Sequence, residues 1–556
     1  MNVEFFHNYN YSMATSVYFN GKMRTLPGVY STITSGDNTQ TRTLDYGTVL
    51  LIDTGVFGSG WGGGSGVNGV DKQGKDAVYE FDDLQTFRDF VKGGMYWKAT
   101  EALFTPDPYN QDAAGISRLL FARACTTTSA KMQFASGNSK FVVRTIDEGL
   151  NANGVLDGEY LKFGYAYTVE QGTDDESAFV VKFWRGTYTG DYTDPVTGVT
   201  LSYDELTVAQ AEPLLICQSP EVRTIQDLIA WANVDENFGA RFILDAESRY
   251  TDGDSITNPT LDTYVLADGG TEDYKPTDLD DLLNAIPDVD YNIVFTDQIE
   301  ANANSAQQKK VVAHRNTQAK FDKFVYVGAY STKAKFNDSL NVAKTMNNQW
   351  IVAVHGGVAT ASDATASGFR WWTVFYNLCQ IVGRVSGKPP YIPVTNKTIG
   401  GDKLQHIPTE KEMEKALKFG LVVVYPNPYL QRFVVLQGVT TLQDNTLLFN
   451  KKGASFSIQF MRIIAQLNKE CVVNAFIDLL GDENGVNINT LSKGALETWT
   501  ANFLQTRVAT DQQDNLIQRF QNVVAKRVDD CYHVSYEVVL NNEATKIFFT
   551  GFLLRN

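Results

Sequence analysis

Phe324-Val325-Tyr326-Val327-Gly328 is an unbroken apolar run, and Tyr291-Asn292-Ile293-Val294-Phe295 and Trp350-Ile351-Val352-Ala353-Val354 repeat its character. A strand exposed on one side alternates apolar with polar residues, whereas a strand buried on both sides reads as continuously apolar. The intervals between these runs are long enough to hold helices. Together they predict a mainly parallel sheet covered on both faces. Moving outward, Thr277 to Ala285 reads as a helix with Leu279, Leu282 and Leu283 on one side, and Ile225 to Trp231 as another. Towards the N-terminus, Gly47 to Asp53 is a buried-strand candidate and Phe81 to Val91 a helix. Ile116 to Ala124 is a further apolar segment.

Two flanks differ from this core. Between Phe141 and Gln218 the pattern alternates, as in Phe163, Tyr165, Tyr167 and Val169, with turn clusters such as Asp191-Tyr192-Thr193-Asp194-Pro195. That is the signature of antiparallel strands and marks a β-rich inserted module. On the other side, Thr409-Glu410-Lys411-Glu412 is a capping-box start to a helix reaching about Phe419. A strand at Leu421 to Tyr425, another at Phe433 to Gln437, a helix from Phe456 to Leu467, and strands at Val534 to Leu540 and Ile547 to Leu554 follow. Ser16 to Asn20 reads as a short strand without a local partner. The fold class is therefore α+β and multidomain: an α/β core with a mainly parallel sheet, a β-rich inserted module, and extended N- and C-terminal arms. The divisions fall at 1–40 (arm and first turn), 41–140 and 221–400 (the two parts of the core), 141–220 (module), 401–540 (C-terminal α+β domain) and 541–556 (arm).

Composition narrows the function. The chain has 556 residues, 43% hydrophobic and 20% charged, with a net charge of -16. Such a surface repels phosphate backbones, which argues against nucleic acid as a partner. The five cysteines, Cys125, Cys217, Cys379, Cys471 and Cys531, contain no C-x-x-C pair, so neither a disulfide framework nor a zinc site is expected. The N-terminus lacks the basic and apolar regions of a secretory signal, and no run of about 18 apolar residues calls for a membrane span.

Motifs that carry chemistry are weak. Gly58-Ser59-Gly60-Trp61-Gly62-Gly63 matches G-x-G-x-x-G, but a dinucleotide site needs those glycines to open a helix directly. Here glycines continue through Gly74 and the next helical pattern waits until about Phe81. The histidines His7, His314, His355, His406 and His533 show no metal spacing. His355, at a strand end, is expected to have no nucleophile or carboxylate partner beside it, so a structural or surface role is expected. Asp147 to Gly154 and Gly481 to Gly485 are acidic loops without the full ligand spacing of a calcium-binding EF-hand. No catalytic residue, cofactor or metal site is expected, and the chain is read as not an enzyme.

Several segments in order resemble the contractile tail sheath family of phages and related injection machines. They are Leu26-Pro27-Gly28-Val29-Tyr30, Trp61-Gly62 leading to Glu80-Phe81-Asp82-Asp83-Leu84, and Ala122-Arg123-Ala124. Above all there are Leu266-Ala267-Asp268-Gly269-Gly270-Thr271-Glu272-Asp273 and Val435-Leu436-Gln437-Gly438-Val439-Thr440-Thr441. The resemblance implies a sheath core and a structural subunit that polymerises around a tail tube and contracts by repacking. It also implies terminal arms that add strands to a neighbour's sheet. The arm residues are then Ser16, Val17, Tyr18 and Phe19 at one end, and Ile547, Phe548, Phe549, Phe552 and Leu553 at the other; pairing in cis or in trans stays open. Expected partners are further copies of the chain, the tail tube protein, baseplate proteins, and tail terminator or portal-proximal proteins, without nucleic acid or membrane. The setting is a virion tail assembled in the host cytoplasm. A fixed collar, barrel or ring is the structural alternative, and a nucleotide-dependent enzyme using Gly58–Gly63 the alternative from another class.

Overall fold

The computed structural model describes residues 17–19, 22–24, 46–54, 78–91, 94–124, 126–149, 152–186, 191–193, 200–202, 213–239, 241–254, 260–273, 276–286, 289–317, 323–361, 368–443, 457–480, 491–510, 514–528 and 531–541. Its centre is a seven-stranded sheet. From one edge the order is Leu421–Val422, Ile351–Val354, Phe324–Gly328, Ile293–Thr296, Thr48–Asp53, Arg118–Arg123 and Val78–Phe81. All neighbours run parallel except the last pair. The continuous apolar runs have a direct cause in this arrangement, because successive residues enter opposite cores. Val49, Leu51, Leu119, Phe121, Phe295 and Tyr326 face one core. Leu50, Ile52, Leu120, Ala122, Val294 and Val325 face the other.

Helices close both faces. Gly94–Phe104 and Val374–Ser386 cover the first. Pro276–Ala285, Ala306–Thr317, Phe336–Met346 and Glu410–Phe419 cover the second. Every residue of Val374–Ser386 is buried. It lies so close to Gly94–Phe104 that a Cβ at Gly383 would stand 2.4 Å from the Leu103 carbonyl. Glu410–Phe419 starts with the expected box: the Thr409 hydroxyl accepts from the Glu412 backbone N–H, and the Glu412 carboxylate accepts from that of Thr409.

The module is larger than its alternating core. Its hydrophobic cluster draws on Ala130, Phe141, Phe183, Phe238, Phe242 and Ala267, reaching beyond residues 141–220 on both sides. Two four-stranded antiparallel sheets carry it. The segment Leu266 to Asp273 joins them, with Val265–Leu266 pairing to Ala166–Tyr167 and Thr271–Asp273 to Thr126–Thr128. Its glycines are required: Gly269 sits at φ +84°, and a Cβ on Gly270 would meet the Gly149 carbonyl at 2.4 Å.

The C-terminal part departs from the sequence reading in three places. Leu421 to Tyr425 is two strands, because the chain leaves the large sheet at Val423 and pairs as Val424–Asn427 with Arg432–Val435. The long helix runs Ile458–Leu480, well past Leu467. A helix at Lys493–Gln505 and a strand at Ile517–Val528 were not anticipated; the latter pairs with Cys531–Leu540.

Candidate functional site

In α/β proteins chemistry gathers at the C-terminal ends of parallel strands, and two polar networks lie there. In the first, Asp53 and Arg123 end adjacent strands as an ion pair at 3.2 Å with both side chains wholly buried. The Tyr96 hydroxyl lies 2.7 Å from Asp53 Oδ1 and 2.8 Å from Asp297 Oδ2. Burial, with the two carboxylates second, holds that phenol well above its ordinary pKa, so it stays protonated. Asp297 also accepts from the Thr54 N–H at 3.0 Å, and Gln298 Nε2 donates to Thr54 Oγ1. These contacts join strand ends far apart in sequence, immediately beside the point where the chain leaves for the module.

The second network is a relay through His355. Ser339 Oγ lies 2.8 Å from His355 Nδ1, His355 Nε2 lies 2.8 Å from His406 Nδ1, and His406 Nε2 lies 3.3 Å from Glu412 Oε2. Burial lowers both histidines, His355 to about 3, so both rings are neutral at pH 7. The Thr409 backbone N–H is the largest of the effects holding Glu412 ionised, at about 2. With neutral rings and an ionised carboxylate, one proton arrangement satisfies all three bonds. His406 Nε2–H donates to Glu412, His355 Nε2–H to His406, and Ser339 Oγ–H to His355. The expectation that no nucleophile or carboxylate accompanies His355 is thus corrected: a serine touches it and a carboxylate is reached through His406. The signal was present only as Ser339 on a buried helical face and Glu412 in the capping box, residues that the fold alone brings together.

The serine–histidine–carboxylate order resembles a nucleophile with its base, but its surroundings differ from those of a catalytic serine. Ser339 is fully buried and His355 and His406 are each 3% exposed. With Phe336 packed edge-on against both rings at 5.2 Å, the relay works as an internal clamp. Among the acidic loops, Asn153 exchanges hydrogen bonds with the Gly270 backbone, donating to its carbonyl at 2.8 Å and accepting from its N–H at 2.8 Å. Its side chain is thereby committed to the turn that joins the module's sheets. Among the described residues no group of three His, Cys, Asp or Glu could hold a metal, and no helix is long and apolar enough to cross a membrane. The Gly58–Gly63 loop and the loop at 481–485 lie outside the described residues.

The terminal strands give a different picture. Val17–Phe19 pairs antiparallel with Lys22–Arg24, so the expectation that this strand lacks a local partner is corrected. The intervening Asn20-Gly21 is the residue pair that two-residue hairpins favour. Ser16, Ile547, Phe548, Phe549, Phe552 and Leu553 lie outside the described residues. Ile517–Val528 and Cys531–Leu540 form a sheet of two strands. Its base is packed: Ile517, Val538 and Leu540 share a cluster with Ile463, Leu467, Phe503 and Leu504. Towards its turn the side chains open to water, with Val524, Val528 and Val534 exposed. Beyond a bridge between Val508 and Ile517, no described strand pairs with either outer edge.

The described chain thus combines a two-faced α/β body, an inserted β module and a two-stranded terminal sheet. Its architecture matches that of sheath tail proteins. The sheath tail protein of Desulfitobacterium hafniense superposes with a TM-score of 0.56 at 13% identity, over 92% of this chain and 100% of its own. That of Listeria innocua superposes with a TM-score of 0.51, also at 13% identity, over 90% and 97%. No family model and no curated protein sequence matches the chain. The fold of this chain is the tail sheath fold.

Proposed function

We propose that this chain is a structural subunit of a tail sheath, polymerising around a tail tube and driving contraction by repacking of subunits, without catalysis of its own. The observation that supports the reading, given the fold, is the two-stranded sheet Ile517–Leu540, with whose outer edges no described strand pairs beyond the Val508–Ile517 bridge. Open edges invite added strands, and a folded protein that keeps them has either a partner or an aggregation hazard. Strands from neighbouring copies, Val17–Phe19 at one end and residues 547–554 at the other, are the occupants of those edges. Main-chain hydrogen bonds of this kind survive rigid-body rotation of the bodies they tether. A metastable extended array can therefore relax to a better-packed one without losing its links. Head-to-tail contacts that do not close generate helical tubes. Partners follow from the same reading: further copies, the tube, and the baseplate and terminator that bound the tube's two ends.

Electron microscopy of the purified protein tests the proposal. Regular tubes are expected from the intact chain, and a variant lacking residues 542–556 should keep its melting temperature and form none. Tubes formed equally well by that variant would refute coupling through the terminal strand.

A further inference from the structure

The net charge of this chain is confined to one region. Residues 126–273 hold nine Lys/Arg against 25 Asp/Glu, out of 48 and 64 in the whole chain, so the region carries the full -16 and the remainder holds 39 of each sign. That region coincides with the module, which has its own hydrophobic core and joins the body through adjacent strands, Thr126 standing opposite Asp273. Several of the module's few cations are paired within it: Lys131 with Glu247 at 2.9 Å, Arg144 with Asp245 at 2.8 Å, and Lys182 with Glu170 at 2.6 Å. Among the described carboxylates, Glu159, Asp174, Glu176, Glu236 and Asp262 are exposed to water.

A second copy brings a second module of the same sign. Like charges on compact bodies repel over about a Debye length, roughly 10 Å at 0.1 M salt and about 3 Å at 1 M. A body with equal numbers of each sign carries no such net penalty. We infer that the module is an electrostatic spacer: copies of this chain associate through the charge-balanced body, while their modules repel and oppose close packing. The inference rests on the self-association proposed above, and it gives salt a definite sign. Screening strengthens assembly, whereas a module that bound a basic patch on a neighbour would make salt weaken it.

The test is a sodium chloride titration of the intact chain beside a full-length variant carrying Glu159→Gln, Asp174→Asn, Glu176→Gln, Glu236→Gln and Asp262→Asn. Light scattering and electron microscopy report the lowest protein concentration that gives particles. For the intact chain that concentration should fall on the order of tenfold between about 0.1 M and 1 M salt, as the Debye length shortens. The variant should assemble at lower concentration than the intact chain at 0.1 M and respond less to salt. Assembly that weakens with salt, a flat response, or a variant that melts normally but assembles worse would each overturn the spacer. Particles from neither protein at any salt, with both folded, would overturn the self-association reading and the spacer with it.

Discussion

The seven-stranded sheet and the two-stranded terminal sheet solve the same backbone problem in opposite ways. In the large sheet Val49, Leu50, Leu51 and Ile52 are wholly buried, helices cover both faces, and the strand ends finish in partnered groups such as Asp53–Arg123 and His355–His406. The terminal sheet is packed at its base and tied higher up by Ala525 and Tyr532, but it shows exposed valines towards its turn, and beyond the Val508–Ile517 bridge no described strand pairs with its outer edges. The contrast teaches that burial is unevenly distributed along one chain. The body is a closed, buried unit, and under the function proposed above the hairpin would supply the hydrogen bonds that a neighbour completes.

The contrast can be broken at defined residues. The largest effect is expected from Arg123→Ala, which takes the cation from a buried carboxylate. It should cost about 3–5 kcal/mol in chemical denaturation, and a cost below about 1 kcal/mol would show that the strand ends are not sealed by this pair. Ser339→Ala leaves His355 Nδ1 without its donor and should cost roughly 1–3 kcal/mol. Acid tests the same clamp. Burial holds His355 at about 3 against an ordinary 6.5, so below pH 6.5 the unfolded chain takes a proton that the folded chain refuses. The stability this gives is present above that pH and lost as pH falls towards 3, roughly 2 kcal/mol by pH 5. Glu412, held at about 2 against 4.5, adds a loss of the same sign in the lower window. Thermal melting between pH 7 and pH 4 should show this slope, and His355→Gln should flatten it. The smallest change in stability belongs to the hairpin: Val524→Thr with Val528→Thr should alter it by less than about 0.5 kcal/mol. The same pair should still weaken assembly, measured by sedimentation.

The body was legible because its physics is local and repetitive. Phe324 to Gly328 and Trp350 to Val354 announce burial on two sides by their lack of alternation, and Thr409 to Glu412 announces a helix start by its own side chains. What escaped the sequence depends on distant partners. The helix Ile458–Leu480 hides its second half behind Asn468, Lys469 and Glu470, polar residues that read as an ending. They are buried because Lys469 meets Asp290 at 2.6 Å and Glu470 meets Arg507 at 2.9 Å. Ile517–Val528 hides for another reason: its pairing shifts register around Asn522, at φ +55°, so its alternation breaks midway. The relay through His355 was invisible because Ser339, His406 and Glu412 are assembled by three separate elements. The N-terminal hairpin was overlooked although Asn20-Gly21 carries the signal. Leu266 to Asp273 pointed towards the right fold, and the structure supplies the reason its glycines are needed.

Amide hydrogen exchange on the free and the assembled protein tests the central claim most directly. In the free chain, outer-edge amides of Ile517–Val528 and Cys531–Leu540, apart from Ala525, whose N–H donates to Glu497 Oε1 at 2.9 Å, should exchange more quickly than those of Ile293–Thr296 and Phe324–Gly328. On assembly the hairpin edges should become protected by at least tenfold and the large sheet should change little. Hairpin edges that exchange equally fast in both states, in a preparation shown to contain tubes, would contradict association by strand addition.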